Sequence, residues 1–437
     1  MSQLSSADQL SLLDCTDEAR CYHNPRYGFF TLLLDRKTGK RQRAFKLDDM
    51  HRVLPLVDRT RDSWISQAEF ILPNRRIVNL ARIGLLFCDL DYYRTDYKRL
   101  PPERVAEALI WYCHNEANIP PPSLIIFSGR GLQAKWLLDG TVPRQALPRW
   151  NACQRKIIDT LDAFGADPAA KDASRVLRLV NTVNNKTGEV CRVIHITEGK
   201  DGEPVRYNFE LLCENLLPLG RWDIEKHRAE RKLKQVIGNK AKAHQRLQGN
   251  RIAWDRLEDL RKLTRLRGGV PEGERMTTLF WQLNFLLLSG ATSASQMFHE
   301  AAALAKEIDP RWGYRTAELS TLYNKAKAYN AGERIEFNGR EYPALYTPKN
   351  DTLINTFNIT DAEQQQLQTI ISRTEKARRR AIADKKNKGW KMSREEYRGQ
   401  AQEKRSQAIE LRSKGVSLRV IAKTLNVSLG AVQHYLR

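Results

Sequence analysis

A mixed α/β body followed by all-helical modules is the fold class that this sequence predicts, and three observations predict it. Short apolar runs alternate with helix-spaced apolar residues through residues 1–200. From Gly273 to Tyr329 the spacing is helical throughout. The chain then ends on a compact helical pattern at 404–437. A length of 437 residues suggests about three domains.

Phe29–Leu34 is an apolar run that ends at Lys37-Thr38-Gly39-Lys40, a hairpin signal. Ile83–Leu90 and Ser123–Phe127 are short apolar runs suited to buried strands. Between them Val105, Leu109 and Tyr112 share one helix face after Pro101-Pro102. Leu147, Trp150, Ile157, Leu161 and Phe164 outline a second amphipathic helix that Gly165 closes. Residues 222–268 are dense in Lys, Arg, Glu and Gln and predict a solvated basic helical linker. Leu279, Leu283, Leu286 and Leu287 begin a helical module spanning 269–350, and 351–403 is a second basic connector.

Lys and Arg number 73 against 51 Asp and Glu, a formal charge of +22. Such a surplus points to a polyanionic partner, nucleic acid first. It is unevenly spread. Residues 1–200 hold 30 basic and 23 acidic side chains, whereas the much shorter 373–437 holds 18 and 6. The body and the tail therefore have separate tasks. Seven cysteines without a C-x-x-C pair read as reduced thiols. The richest apolar stretch, Leu279–Leu288, is far short of the ~20 residues of a membrane span, so a cytoplasmic protein with no membrane partner is expected.

Three segments carry chemistry. In Leu85–Asp91 a strand would put Asp89 and Asp91 on one face, about 6.5–7 Å apart. Adjacent carboxylates repel and call for a cation, and Mg or Mn with oxygen ligands suits them. Two such ions can clamp a phosphoryl transfer. In Ser128-Gly129-Arg130-Gly131-Leu132-Gln133 two glycines let backbone approach a phosphate, and Arg130 brings a fork of donors. The third segment joins Asp172, Arg175 and Arg178 to Thr182, Asn184 and Lys186, a set stocked for a metal-bound triphosphate. Asp167 remains an alternative to Asp172 as third carboxylate.

These segments, in this order, resemble the archaeo-eukaryotic primase superfamily, specifically the primase-like replication initiators of bacterial plasmids. The acid-x-acid strand matches Asp89 and Asp91, and the Ser-Gly-x-Gly turn with its tryptophan strand matches Ser128–Trp136. Asp172, Arg175, Arg178, Thr182, Asn184 and Lys186 match the third motif. Gly273–Tyr329 resembles the helical primase C-terminal module of the same proteins. The resemblance implies a primase-polymerase-like catalytic domain at 1–221. It implies Asp89, Asp91 and Asp172 as catalytic metal ligands for Mg²⁺ or Mn²⁺. Ser128, Arg130, Gln133, Arg175, Arg178, Asn184 and Lys186 would bind nucleotide. Two positions depart from the pattern: Gln133 stands where many members have histidine, and Val180-Asn181 replaces the usual Pro-Gly.

At 404–437, Ala408, Ile409 and Leu411 fit a first helix ending near Gly415. Ser417 can cap a second with Val420, Ile421 and Leu425, and Ser428 a third with Val432 and Leu436 inward. The unit resembles a homeodomain-like helix-turn-helix, whose last helix enters the major groove. Arg378, Arg379, Arg380, Arg419, Ser428, Gln433 and His434 are the expected DNA contacts.

The resulting expectation is a DNA-dependent primase acting in plasmid replication initiation. It would bind origin double-stranded DNA and single-stranded template, use nucleoside triphosphates, and rely on host replicative helicase and polymerase, since no P-loop motif occurs. The competing expectation is a non-catalytic origin- or operator-binding protein with a degenerate primase fold.

Overall fold

The structure, a computed structural model, describes residues 12–24, 27–36, 38–217, 239–337, 339–387 and 394–436. It divides into two compact units: Met1–Leu353 with Gln366–Ile370, and Ile354–Gln365 with Ile371–Arg437.

The first unit is built on an antiparallel sheet, so the body is α+β. Its strands are β1 (Phe29–Arg36), β2 (Gly39–Lys46), β3 (Ser63–Ser66), β4 (Ala68–Phe70), β5 (Leu80–Leu90), β6 (Leu124–Phe127), β7 (Leu132–Pro143), β8 (Val176–Arg178) and β9 (Arg192–Ile196). The order is β8-β3-β1-β4-β5-β7-β6-β9, with β2 hairpinned onto β1. The expected hairpin after Phe29, the central apolar strand and the Leu124–Phe127 strand are all present.

Two halves of this sheet meet only at β4. That short strand pairs with β1 through Phe29–Phe70 alone, and with β5 no further along than Ile83. From Leu85 onward β5 keeps β7 on one edge and has no strand on the other. Side chains fill that edge. The helix Leu147–Thr160 sends the Trp150 indole to the Leu85 carbonyl at 2.8 Å. Its Gln154 accepts from the Phe87 N–H at 3.2 Å and donates to the Phe87 carbonyl at 2.5 Å. The buried run Ile83–Cys88 can thus lose a strand neighbour without orphaning its backbone groups.

A fully buried ion pair ties the N-terminal helix Cys15–Arg20 to β7: Glu18 accepts from Lys135 at 2.6 Å and from the Tyr22 hydroxyl at 3.2 Å. The extra hydrogen bond and the ring over which Lys135 lies compensate the desolvation of both charges.

The expected basic linker needs correction. Residues 222–238 lie outside the described residues, but Asn239–Leu266 is a helix with Ala253, Trp254, Leu257, Leu260 and Leu263 buried. It is a core element rather than a solvated spacer, packed against Arg275–Leu288. The expected all-helical stretch to residue 350 also holds a two-stranded hairpin, Arg334–Phe337 with Arg340–Pro343. The helices dock on the sheet body through polar clasps. Buried Glu300, on Met297–Ile308, accepts from the N–H groups of Ile77 and Val78 at 3.0 and 3.1 Å. Arg144 pairs with Glu258 at 2.7 Å.

In the second unit, Arg394–Ser413, Leu418–Thr424 and Leu429–Tyr435 enclose a small core of Ala408, Ile421, Leu425 and Val432. Gly415 and Asn426 take left-handed φ values of 81° and 49°, which end the first two helices. Ile409 and Val420, on the first and second of these helices, are about half exposed because their neighbours Ala408 and Ile421 occupy the inward stripe. Among the described residues no helix is long and apolar enough to cross a membrane.

Candidate active site

A cavity of about 610 Å³ opens where the two halves of the sheet part. The β5–β7 half contributes Asp89, Asp91 and Gln133, and the β1–β3–β8 half contributes Leu33, Trp64 and Arg178. Asp172 and Arg175 line it from the loop before β8, Ser128 and Arg130 from the β6–β7 turn, and Asn184 and Lys186 from the loop after β8. All ten residues expected to act on metal or nucleotide therefore border one space. They come from three segments that the antiparallel sheet folds together.

Asp89 sits directly across from Gln133 in the β5–β7 ladder. Strand geometry ends at Leu90, and Asp91 turns away with ψ 49° while still bordering the cavity. The end of β5 is clamped by residues 165–167. Asp91 N–H donates to the Gly165 carbonyl, and Asp167 N–H donates to the Asp89 carbonyl, both at 2.8 Å. Burial pushes the Asp89 carboxyl up to about 6; Arg175 opposes that shift, and Asp91 and Asp167 add to it.

The glycines of the β6–β7 turn are dictated by space. A Cβ at Gly131 would lie 2.5 Å from the Leu90 carbonyl oxygen, and one at Gly129, with φ 83°, 2.6 Å from Asn184 Cβ. The Ser128 hydroxyl is taken up within the turn: it donates to the Gly131 carbonyl at 3.1 Å and accepts the Gly131 N–H at 3.2 Å. Asn184 donates to the Ser128 carbonyl at 3.1 Å, and Thr187 to the Gly129 carbonyl at 2.7 Å. Ser128 and Asn184 thus tie two loops together at the cavity's border. Asn181 holds φ 63°, a left-handed turn that Asn tolerates, so the Val180-Asn181 departure preserves a reversal.

The cations are engaged but adjacent. Arg175 pairs with Asp167 at 3.0 Å, Arg178 pairs with Asp62, and Arg130 stacks 4.0 Å over the Tyr93 ring. The Asp167 pairing turns that carboxylate toward Arg175, while Asp172 borders the cavity and accepts from Ser174 at 2.5 Å. Gln133 is buried, and its Oε1 finds no hydrogen-bond partner among the described residues.

Asp89, Asp91 and Asp172 offer only oxygen donors, the set that hard divalent cations prefer. Burial and the neighbouring carboxylates push Asp89 up to about 6 despite Arg175, and a divalent ion would favour its charged form. The donor set fits such an ion. Among the described residues, however, no three His, Cys, Asp or Glu side chains converge tightly enough to hold one.

Sequence reasoning missed Asp62, Trp64, Arg75 and Tyr93, which also border the cavity. Asp62 anchors Arg178 and accepts the Asn185 N–H at 3.1 Å. Arg75 donates to the Ser174 carbonyl beside Asp172 and to Gln42 at 3.3 Å. The Lys40 ammonium lies 4.3 Å from the Trp64 ring centroid.

No family model matches the chain. Over 351 residues it is 28% identical to a replication protein of Clostridium perfringens, covering 80% of this chain and 78% of that protein. The chain is similar to a replication protein. That bears out the resemblance drawn from the three motifs. Among solved structures, the AEP domain of the cyanophage S-2L primase-polymerase matches with TM-score 0.31 and 15% identity, over 44% of this chain and 90% of its own. Primase RepB′ matches with TM-score 0.28 and 15% identity, over 67% and 92%. The catalytic domain of RepB′ in complex with initiator DNA matches with TM-score 0.26 and 14% identity, over 48% and 92%.

In the second unit, Arg378 and Arg379 both donate to Glu375 at 2.7 Å, and Arg379 also donates to the Gln364 carbonyl at 2.7 Å. Two of the three expected phosphate contacts are thus already paired, while Arg380 is exposed. Ser428 caps its helix by accepting the Ala431 N–H at 3.2 Å, and Ser417 makes no capping bond. Arg419, Gln433 and His434 are exposed.

Proposed function

We propose that this protein is a plasmid replication initiator that synthesises a primer by nucleotidyl transfer. The observation that carries the reading is one cavity that sets Asp89, Asp91 and Asp172 beside Arg130, Arg175, Arg178 and Lys186. Carboxylates and cations in one cleft between sheet halves suit a triphosphate and its counter-ions.

Asp89, Asp91 and Asp172 would hold Mg²⁺ or Mn²⁺, which would acidify the attacking 3′-hydroxyl and neutralise the leaving pyrophosphate. Arg175 and Arg178 would hold the phosphates, their orientation fixed by Asp167 and Asp62. Arg130, stacked on Tyr93, would reach the same phosphates from the glycine turn. Gln133, with an unused acceptor, would face a donor of the bound nucleotide or its water. The bond formed joins the 3′-oxygen to the α-phosphorus of the incoming nucleotide, and the bond broken releases pyrophosphate.

The three C-terminal helices would act as a helix-turn-helix on origin duplex, with Gln433 and His434 toward base edges. Host helicase and polymerase would continue from the primer.

The test is incorporation of labelled nucleotides on a single-stranded template with Mg²⁺ or Mn²⁺. Asp89→Asn should abolish product, and chelator should do the same to the unaltered protein, while duplex binding stays within about twofold. Undiminished synthesis by Asp89→Asn would overturn the assignment.

A further inference from the structure

The helical module reaches the cavity through Gln296, which borders it, and through Glu300, which does not. Glu300 is buried and accepts the Ile77 and Val78 N–H groups, one on each carboxylate oxygen. Those groups open the turn Ile77–Asn79, which ends the loop 71–79 between β4 and β5. The loop is closed on itself: the Ile71 N–H donates to the Asn79 carbonyl at 2.8 Å, and the Asn79 amide donates to Asn74. Glu300 ties this closed loop to the module.

The loop carries Arg75 to the wall of the cavity, which Asp172 also lines. Of the four arginines bordering that space, Arg175 and Arg178 pair with Asp167 and Asp62, and Arg130 lies over the Tyr93 ring. Arg75 instead donates to two neutral acceptors, the Ser174 carbonyl and, at 3.3 Å, the Gln42 side chain. These bonds orient the guanidinium without cancelling its charge. Burial pushes its pKa down; Arg76 and Arg175 add to that fall, while Asp172 and Glu300 oppose it. A half-buried guanidinium oriented in this way toward a cavity suits a phosphate.

An apolar residue at position 300 would dock the helix but leave two backbone donors without their acceptor. The carboxylate therefore does more than pack. It fixes where the turn lies, and with it where Arg75 stands.

We propose that Glu300 is a positioning residue for nucleotide binding: it holds the 71–79 loop so that Arg75 meets the phosphates of the bound nucleotide. The helical module is thereby part of the nucleotide site. The proposal rests on the primer-synthesis reading and deepens it.

The test uses the full chain and two measurements: calorimetric titration with nucleoside triphosphate and Mg²⁺, and extension of an annealed primer. Arg75→Gln should raise the nucleotide Kd and KM about tenfold or more, in line with losing a hydrogen bond to a charged group. Glu300→Gln offers one acceptor in place of two. It should raise Kd and KM about threefold or more and speed amide exchange at Ile77 and Val78. In both variants kcat should stay within about twofold, because the lost contact is made equally before and during reaction. Loss of folded protein alone would lower the rate and leave KM where it was. The double variant should be no worse than Arg75→Gln, since Glu300 acts through Arg75. Should Glu300→Gln not fold, Glu300→Asp, with its shorter reach, takes its place with the same expected outcomes.

An unchanged Kd in Arg75→Gln, or additive losses in the double variant, would overturn the proposal. Faster exchange at Ile77 and Val78 with Kd unchanged would do the same. Weaker template binding with nucleotide Kd unchanged would assign Arg75 to the strand and overturn it too. Failure of the primase reading is separate: the unaltered protein would bind the triphosphate and extend no primer, and the Kd shifts would still decide Arg75 and Glu300.

Discussion

His23 lies buried between the N-terminal helix and the sheet, its Nε2 donating to the Ser66 carbonyl at 2.9 Å and its Nδ1 without a partner. Burial pushes its pKa down to about 3 from the ordinary 6.5; Lys135 adds to the fall and the Ser66 bond opposes it. The imidazole is therefore neutral in the fold and charged in the unfolded chain below pH 6.5. Its contribution is fully present above that value and is lost as pH falls from about 6.5 to about 3. At pH 5 the loss is about 2 kcal/mol. Denaturant titrations at pH 7 and pH 5 should show that loss, and His23→Gln should reduce the difference between them. Side chains like this one were not legible in the sequence, because their state depends on what covers them. Asp62 and Tyr93 escaped for the same reason. Each is a single residue whose place at the cavity comes from a neighbouring strand or turn. Asp89, Arg175 and Arg178 were legible because they stand in runs whose spacing itself carries the chemistry.

Elements were legible where one period dominates. The run Ile83–Leu90 reads as a strand, and Val105, Leu109 and Tyr112 read as a helix that the structure places at Pro102–Asn115. The Asn239–Leu266 helix was misread because its many charges mask a stripe at Trp254, Leu257, Leu260 and Leu263. Its buried Asp259 is a structural clasp. Asp259 accepts the N–H groups of Gln368, Thr369 and Ile370 at 2.8, 2.6 and 2.8 Å, fixing a short return segment onto the helix. That segment carries Leu367 and Ile370, both buried. Asp259→Ala would leave three backbone donors without their acceptor, at about 1–3 kcal/mol for each one that stays buried. The expected outcome is faster amide exchange and earlier protease cleavage at 366–370, with Ile83–Cys88 exchange unchanged. Unchanged exchange at 366–370 would show that buried Leu367 and Ile370, with the Lys262 and Asn350 bonds to the Gln366 and Thr369 carbonyls, hold the segment without Asp259.

At the scale of the whole molecule, charge is partitioned between an α+β body of modest surplus and a tail of dense surplus, and on the proposed reading the tail governs duplex affinity. Each phosphate contact steepens the slope of log affinity against log salt by about 0.9. A count from sequence would assign three contacts to Arg378, Arg379 and Arg380. The structure reduces that count, because Glu375 holds both Arg378 and Arg379 while Arg380 stands exposed. Replacing all three by Ala should therefore flatten the salt slope by nearer about 1 than about 3, and equally on every sequence. Gln433→Ala, on the exposed face of the last helix, should leave the slope unchanged and cost about 1–3 kcal/mol at one base pair of the origin. Salt titrations of anisotropy on origin and random duplexes separate the two. A slope change near 3 would mean that DNA pulls both arginines off Glu375. A uniform loss from Gln433→Ala across sequences would remove that residue from base reading and leave the last helix as a phosphate contact.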